Sequence, residues 1–492
     1  MSVLKRWDIF CKIVDNFGDI GVSWRLARQL QAEHDLEIRL WIDDLAAAQK
    51  IIPSLNIAKN SQVCDEITIL KWPGIENASQ ADFSQVADVV IEAFACELPP
   101  AYLMAMVRQQ SKWVNLEYLS AENWVDDFHA KPSPQNLLNL NHGLTRYFYF
   151  PGFTEATGGL IREAHIAALL QSHNNPRPQA GEGARQRGRG AVYGDLDAAP
   201  LSNLSPASGR EAIKAGELET SIPVRPSHFS SQFTGLENWG RPLRSEPVEG
   251  QEALKISLFC YLNAPIKDLF TALQPNIHAA SVYVPESSIL PQIADYFGVE
   301  TIGVGDYFTR KNLHVHILPF LSQADYDALL RDCDLNFVRG EDSWVRAIWA
   351  GKPFIWQPYL QDENTHIKKL NAFLDLFYAN IKIQIPTQTS FPPPIKSLEG
   401  RLQRESSPLT KNKMDSRLRG NDGVEENIVF NSVANIHRAW LSGNITNAIW
   451  QNYLDHLATI KDHTLQQTTQ LSNQTDLAAK LVIFCNKIPN NE

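Results

Sequence analysis

The stretch DLNFVRGEDSWVRAIWAGKPFIWQP, Asp334 to Pro358, decides how this chain folds. It reads as a strand (DLNFVRG), a helix opened by an acidic-serine turn (EDSWVRAIWAG) and a second apolar strand (KPFIWQP). The strand LHVHILPF and the helix SQADYDALLRDC precede it, so two βαβ units follow one another. Continuous apolar strands separated by helices predict a parallel sheet covered on both faces.

Working outward, LKISLFCYL, PIKDLFTAL, ASVYVP and SSILPQIADYFG extend the same alternation toward the N-terminus. The first part of the chain repeats it: WDIFCKIV, a helix after Gly21 with Val22, Leu26 and Leu30 on one face, LEIRLWIDD, LAAAQKII, EITIL, VADVVIEAF, PAYLMAMVRQQ, KWVNLEYL and a helix over GGLIREAHIAALLQ. Between the halves, residues rich in Gly, Pro, Arg and Ser (NNPRPQAGEGARQRGRG, LSPASGRE) show no sustained periodicity and predict disorder or loose loop. A second such segment contains KNKMDSRLRGNDG, and helices such as VANIHRAWL and ITNAIWQNYLDHL close the chain. The expected organisation is a first Rossmann-like lobe over 1–172, an insertion over 173–252, a second Rossmann-like lobe over 253–386, an insertion over 387–424 and terminal helices over 425–492. The fold class is α/β, with two lobes facing a cleft.

Bulk properties narrow the function. At 492 residues the chain exceeds one core. A net charge of −10 argues against nucleic-acid binding, which needs a basic face. The cysteines at 11, 64, 96, 260, 333 and 485 show neither CxxC nor metal spacing and read as reduced, mostly buried thiols. With no signal-peptide pattern and no apolar run of ~18 residues, the expectation is a cytoplasmic protein without a membrane partner.

Two turns carry the chemistry. After the strand ending at Arg339, Asp342 or Ser343 is expected to cap the helix, whose free amides attract an anion, with Arg339 and Arg346 adding positive charge. Gln323 and Tyr326 open the preceding helix and suit a flat base, and Glu341 suits a ribose or sugar hydroxyl. Near the N-terminus, DNFGDIG places Asp15 and Asp19 beside Gly18 and Gly21. Neither GxxxxGK[ST] nor GxGxxG is present, and two carboxylates repel a phosphate, so this turn is no phosphate cradle. It either caps its helix or supplies carboxylates to bind a cation or remove a proton.

The order of elements around Asp334–Pro358 resembles the donor half of GT-B nucleotide-sugar glycosyltransferases. IFCKIVDNFGDIGVSWRLARQL and VRGEDSWVRAIWAGKPFIWQ, with PGFTEATGGLIRE, NLEYLSAE, SLFCYLN and QADYDALL, resemble the elongation-factor-P arginine rhamnosyltransferase family. The likeness covers about 1–172 and 253–386 well, the terminal helices loosely and the insertions not at all. It implies a GT-B fold, dTDP-L-rhamnose as donor, an arginine of translation elongation factor P as acceptor, and inversion at the anomeric carbon. By position it implies Asp15 and Asp19 as catalytic aspartates, Asp19 being the base. It implies donor contacts from Phe259, Tyr261, Gln323, Tyr326, Arg339, Glu341, Asp342 and Ser343. Glu117 and Tyr118, at the end of KWVNLEYL, are acceptor-side candidates, Glu117 on the same ground.

No cofactor and no metal are expected. Asp195–Asp197 falls in the first insertion, and Asp332–Asp334 straddles a helix end and a strand start. His314 and His316, on one face of a strand, are expected to be structural, and Trp344, Trp349 and Trp356 to fill the second core. Two other readings stay open: a GT-B transferase with a different sugar or acceptor, and an inactive protein that binds elongation factor P.

Overall fold

The computed structural model describes residues 5–15, 17–72, 83, 85–133, 143–174, 253–275, 279–381 and 422–489. The first sheet comprises β1 (Arg6–Cys11), β2 (Glu37–Ile42), β3 (Ser61–Cys64), β4 (Ile67–Lys71), β5 (Val89–Ala93), β6 (Lys112–Leu116) and β7 (Arg146–Tyr149). It carries α1 (Gly18–His34), α2 (Leu45–Ile51), α3 (Pro100–Gln109), α4 (Trp124–Phe128) and α5 (Ala164–Asn174). The second comprises β8 (Leu254–Leu258), β9 (Ala280–Pro285), β10 (Tyr307–Arg310), β11 (Leu313–Leu318), β12 (Leu335–Arg339) and β13 (Phe354–Gln357). Its helices are α6 (Ile266–Leu273), α7 (Leu290–Phe297), α8 (Gln323–Asp332), α9 (Asp342–Ala350) and α10 (Thr365–Tyr378). The chain closes with α11 (Asp422–Ser442), α12 (Asn447–Asp455), α13 (Leu457–Ser472) and α14 (Leu477–Lys487).

Strand order is β3-β4-β2-β1-β5-β6-β7 in the first sheet and β10-β11-β9-β8-β12-β13 in the second. Every pairing is parallel except β3 with β4 and β10 with β11. β5 and β12 are buried along their whole length, as strands covered on both faces must be. In each sheet the order reverses beside the first strand, at β1/β5 and at β8/β12. The loops leaving these strands lie at topological switch points, where open α/β sheets bind ligands.

The predicted βαβ units all form, but short edge strands were not foreseen. β3, β7 and β10 have four residues each, too few for periodicity to reveal them. The helix expected from Gly158 begins only at Ala164. Tertiary partners satisfy the preceding backbone instead: Leu477 N–H donates to the Leu160 carbonyl, and Trp349 Nε1 donates to that of Ile161. The segments 175–252 and 382–421, which hold nearly all of both expected insertions together with Asp195–Asp197, lie outside the described residues.

The second core fills as expected. Trp344 and Trp356 stack with centroids 3.7 Å apart and Trp349 is buried. His314 bonds Tyr307, and His316 stacks on Tyr283. All six cysteines are free and buried. The last helix returns to the first lobe: α14 packs on α1, and Lys112 Nζ donates to the carbonyls of Cys485 and Ile488. Among the described residues no helix is long and apolar enough to cross a membrane.

Candidate active site

The turn leaving β1 is short because α1 starts at Gly18, not after Gly21. Asp19 therefore sits inside the first helical turn and caps nothing. Its Oδ2 reaches back to accept the amides of Val14 and Asp15 at 2.7 and 2.8 Å, and its Oδ1 accepts the Tyr118 hydroxyl at 3.3 Å. Burial pushes the Asp19 carboxyl above its ordinary value; those amides oppose the rise, and the neighbouring Asp15 charge adds to it. The result is a fixed, partly desolvated carboxylate, better suited to take a proton than an exposed one.

Asp15 points across the cleft. Its Oδ2 accepts the Tyr261 hydroxyl at 2.6 Å, and its Oδ1 lies 3.7 Å from Arg339 Nη1. Two glycines make room for it. A Cβ on Gly18 would stand 2.7 Å from Asp15 Oδ2; one on Gly340, at φ +60, would stand 2.9 Å from the Tyr261 hydroxyl and 3.0 Å from Asp15 Oδ2.

Across from it, β12 ends at Arg339, whose guanidinium lies 4.6 and 4.5 Å from the ring centres of Phe259 and Tyr261. Both rings come from the loop after β8, the neighbouring strand. Each such contact contributes on the order of 1 kcal/mol, and together they hold the side chain without using its donors. Arg339 Nε is buried and has no hydrogen-bond partner among the described residues. Ser343 does not cap α9: its hydroxyl bonds the amide and the carbonyl of Arg339, closing the turn. The N-cap is Glu341, with no side-chain bond to the helix. Asp342 does not cap either, since its carboxylate takes Arg25 Nε at 2.7 Å. Arg346 is committed elsewhere, to Asp327 and Glu163, and adds no free charge to the turn.

Two cavities sharing Asp15, Gly18 and Gly340 open among these residues; Tyr261, expected at the donor, lines neither and instead props Asp15. The first gathers Phe259, Gln323, Tyr326, Arg339, Asp342 and Ser343. Gln323 Nε2 donates to the Gly21 carbonyl at 3.1 Å, leaving its buried Oε1 without a partner among the described residues. The Tyr326 ring meets Phe259 edge-on. The second gathers Asp19, Phe94, Tyr118, Glu341, Tyr359 and Lys369.

Glu341 thus belongs with Asp19, away from the other expected donor residues. Burial pushes its carboxyl up to about 8; Asp19 and Asp15 push the same way, against Lys369 and the Leu119 amide. Glu117 does not line either cavity; its carboxylate accepts Asn115 Nδ2 at 2.5 Å. Its neighbour Tyr118 lines the second cavity instead, stacked on Phe94 at 4.5 Å under Lys369. Phe94, Lys369 and Arg25 were not singled out from sequence. Nothing local marks them, because each comes from an element distant in the chain. Asp332 ends α8, and Asp334 accepts the Lys255 amide.

Two Rossmann-like lobes whose switch-point loops meet across a divided cleft define an α/β glycosyltransferase of the GT-B type. The comparisons with known proteins narrow this. The family described as Elongation-Factor P (EF-P) rhamnosyltransferase EarP matches residues 7–192 and 218–391, and the chain belongs to that family. It is 41% identical over 380 residues to the protein-arginine rhamnosyltransferase of Pseudomonas aeruginosa, covering 77% of this chain and 83% of that protein. Against the corresponding protein of Neisseria meningitidis serogroup B it is 34% identical over 368 residues, covering 75% and 77%. A solved structure giving the structural basis for EarP-mediated arginine glycosylation of translation elongation factor EF-P aligns with a TM-score of 0.51 at 25% identity, over 98% of this chain and 99% of that one.

Proposed function

We propose that this chain is a cytoplasmic enzyme that transfers L-rhamnose from dTDP-L-rhamnose, with inversion, to one arginine side chain of translation elongation factor P. The observation that carries the reading is the pair of cavities meeting at Asp15, one holding a ring-stacked arginine with an unused donor, the other acidic and aromatic.

The first cavity is the donor site. Arg339 Nε and the amides at the head of α9 face the diphosphate, which gathers negative charge as it leaves. The Asp15–Arg339 contact, at 3.7 Å, is an ion pair without a hydrogen bond, and a diphosphate with more than one charge displaces it. Gln323 Oε1 accepts the thymine imide N–H, and Phe259 and Tyr326 flank the base.

The second cavity receives the acceptor. A guanidinium with a pKa above about 12 is always charged in water, so the Asp19 carboxylate attracts it, while Glu341, whose carboxyl holds its proton up to about pH 8, offers a hydrogen bond and Phe94, Tyr118 and Tyr359 present ring faces. As the guanidine nitrogen forms its bond to the anomeric carbon, the bond from that carbon to the diphosphate oxygen breaks. The nitrogen's proton passes to Asp19. Asp15, bonded to Tyr261 and facing Arg339, holds the wall between the sites. Helix amides and Arg339 supply the positive charge that a metal provides in other transferases, so none is required.

The test mixes purified protein, dTDP-L-rhamnose and elongation factor P and reads the acceptor's intact mass. One rhamnose on one arginine is expected. Gain with a different nucleotide sugar only, or complex formation with no gain, replaces this reading by another sugar specificity or by a binding protein.

A further inference from the structure

At the wall of the donor cavity, which Arg25 and Asp342 both line, the lobes meet in a buried group of five charges. Arg25, on α1 of the first lobe, donates through Nε to Asp342 at 2.7 Å, through Nη2 to Asp327 at 3.1 Å, and through Nη1 to Glu163 at 3.2 Å. Arg346 donates to the same Asp327 and Glu163, each at 2.6 Å. Arg25, Asp327 and Arg346 are almost wholly buried. Two guanidiniums face three carboxylates. Burial alone would raise the Glu163 carboxyl, but Arg346 and Arg25 hold it down at about 2, so it stays ionised.

Asp342 is the odd member. It is the first residue of α9, the helix whose amides face the proposed leaving group, and a carboxylate there opposes an anion. Arg346, the other arginine of the group, is held by Asp327 and Glu163 and makes no ion pair with Asp342. Arg346 steadies Asp342 only through space, and its direct partner comes from the opposite lobe, where the first turn of α1 lies so close that a Cβ on Gly21 would stand 3.3 Å from the Asp342 carboxyl carbon.

We propose that Arg25 is a positioning residue for the donor: reaching across the lobes, it neutralises Asp342 at the head of α9 and lets that helix start accept a diphosphate. This rests on reading the first cavity as a nucleoside-diphosphate site. It makes that site electrostatically complete only while the lobes are together, so α1, which carries Asp19, also serves the leaving group.

The test measures thymidine 5′-diphosphate and thymidine binding to the full-length protein by calorimetry and ligand-observed NMR. Arg25→Gln should weaken the diphosphate about tenfold or more while changing thymidine less than about twofold, because only the charge facing the phosphates is altered. Arg25→Lys keeps the charge without the fork and should fall between. Adding Asp342→Asn to Arg25→Gln should restore diphosphate affinity at least about threefold by removing the unpaired carboxylate. Equal losses for thymidine and diphosphate, or no recovery in the double variant, overturn the assignment and leave Arg25 a packing residue. If Arg25→Gln does not fold, Arg25→Lys and the double variant decide the matter with the same two ligands. Wild-type protein that binds neither ligand overturns the cavity reading itself, and this assignment with it, a result distinct from the other two.

Discussion

The turns leaving β1 and β12 are built alike and do opposite things. Each leaves a parallel strand at a switch point, has a glycine at or just before the helix start, and enters a helix with an acidic residue in its first turn. After β1 the carboxylate of Asp19 is held by amides and a tyrosine and has no cation paired with it among the described residues. After β12 the carboxylate of Asp342 is cancelled by Arg25, and Arg339 stands among rings with a donor to spare. The difference shows that the sign of a site is set by which charges find partners, not by which charges its turn contains.

The sharpest way to break the comparison is Asp19→Asn. Losing the base should cut transfer by about 10²–10⁴, with thymidine diphosphate affinity unchanged in calorimetry. A collapse of diphosphate affinity would instead assign Asp19 to the donor side. Next is Arg339→Met, which keeps the stacking bulk and removes the charged donors. Diphosphate affinity should fall about 30-fold or more, as for a lost charge-assisted hydrogen bond, and unaltered binding would place the leaving group elsewhere.

A smaller effect sharpens the contrast through pH. With its carboxyl near 8 in the folded chain against 4.5 ordinarily, Glu341 holds a proton that the unfolded chain has released. Unfolding free energy therefore declines as pH rises through that window. Glu341→Gln should flatten the decline in urea melts between pH 5 and about 8; an unchanged slope would mean that Glu341 titrates normally. The smallest expected effect is that of EDTA, none on the transfer rate. Activity that required added manganese or magnesium would show that helix amides and Arg339 do not suffice.

Much of this was legible in the chain. Apolar strands alternating with helices gave both sheets, and the two acidic turns stood out because each follows such a strand. Capping did not come through. Asp342 and Ser343 are good caps by type, yet partners from Arg25 and from the Arg339 backbone bind them more strongly than their own helix start does. Glu341 sits beside its expected companions in sequence, but consecutive residues at a helix start diverge in direction, and it faces the other cavity. Glu117 and Tyr118 show the same divergence at a strand end.

By itself, then, the sequence determined the two lobes, the switch-point turns and the family, because each rests on short-range periodicity or on residues contiguous in the chain. Only the tertiary structure decided that Asp15 forms a wall between two cavities, that Glu341 joins Asp19, and that Arg25 supplies the charge Asp342 lacks. Those facts depend on Coulomb and hydrogen-bond partners brought within a few ångströms from positions hundreds of residues apart, as Arg25 and Asp342 are at a separation of 317, and no local pattern encodes such a meeting.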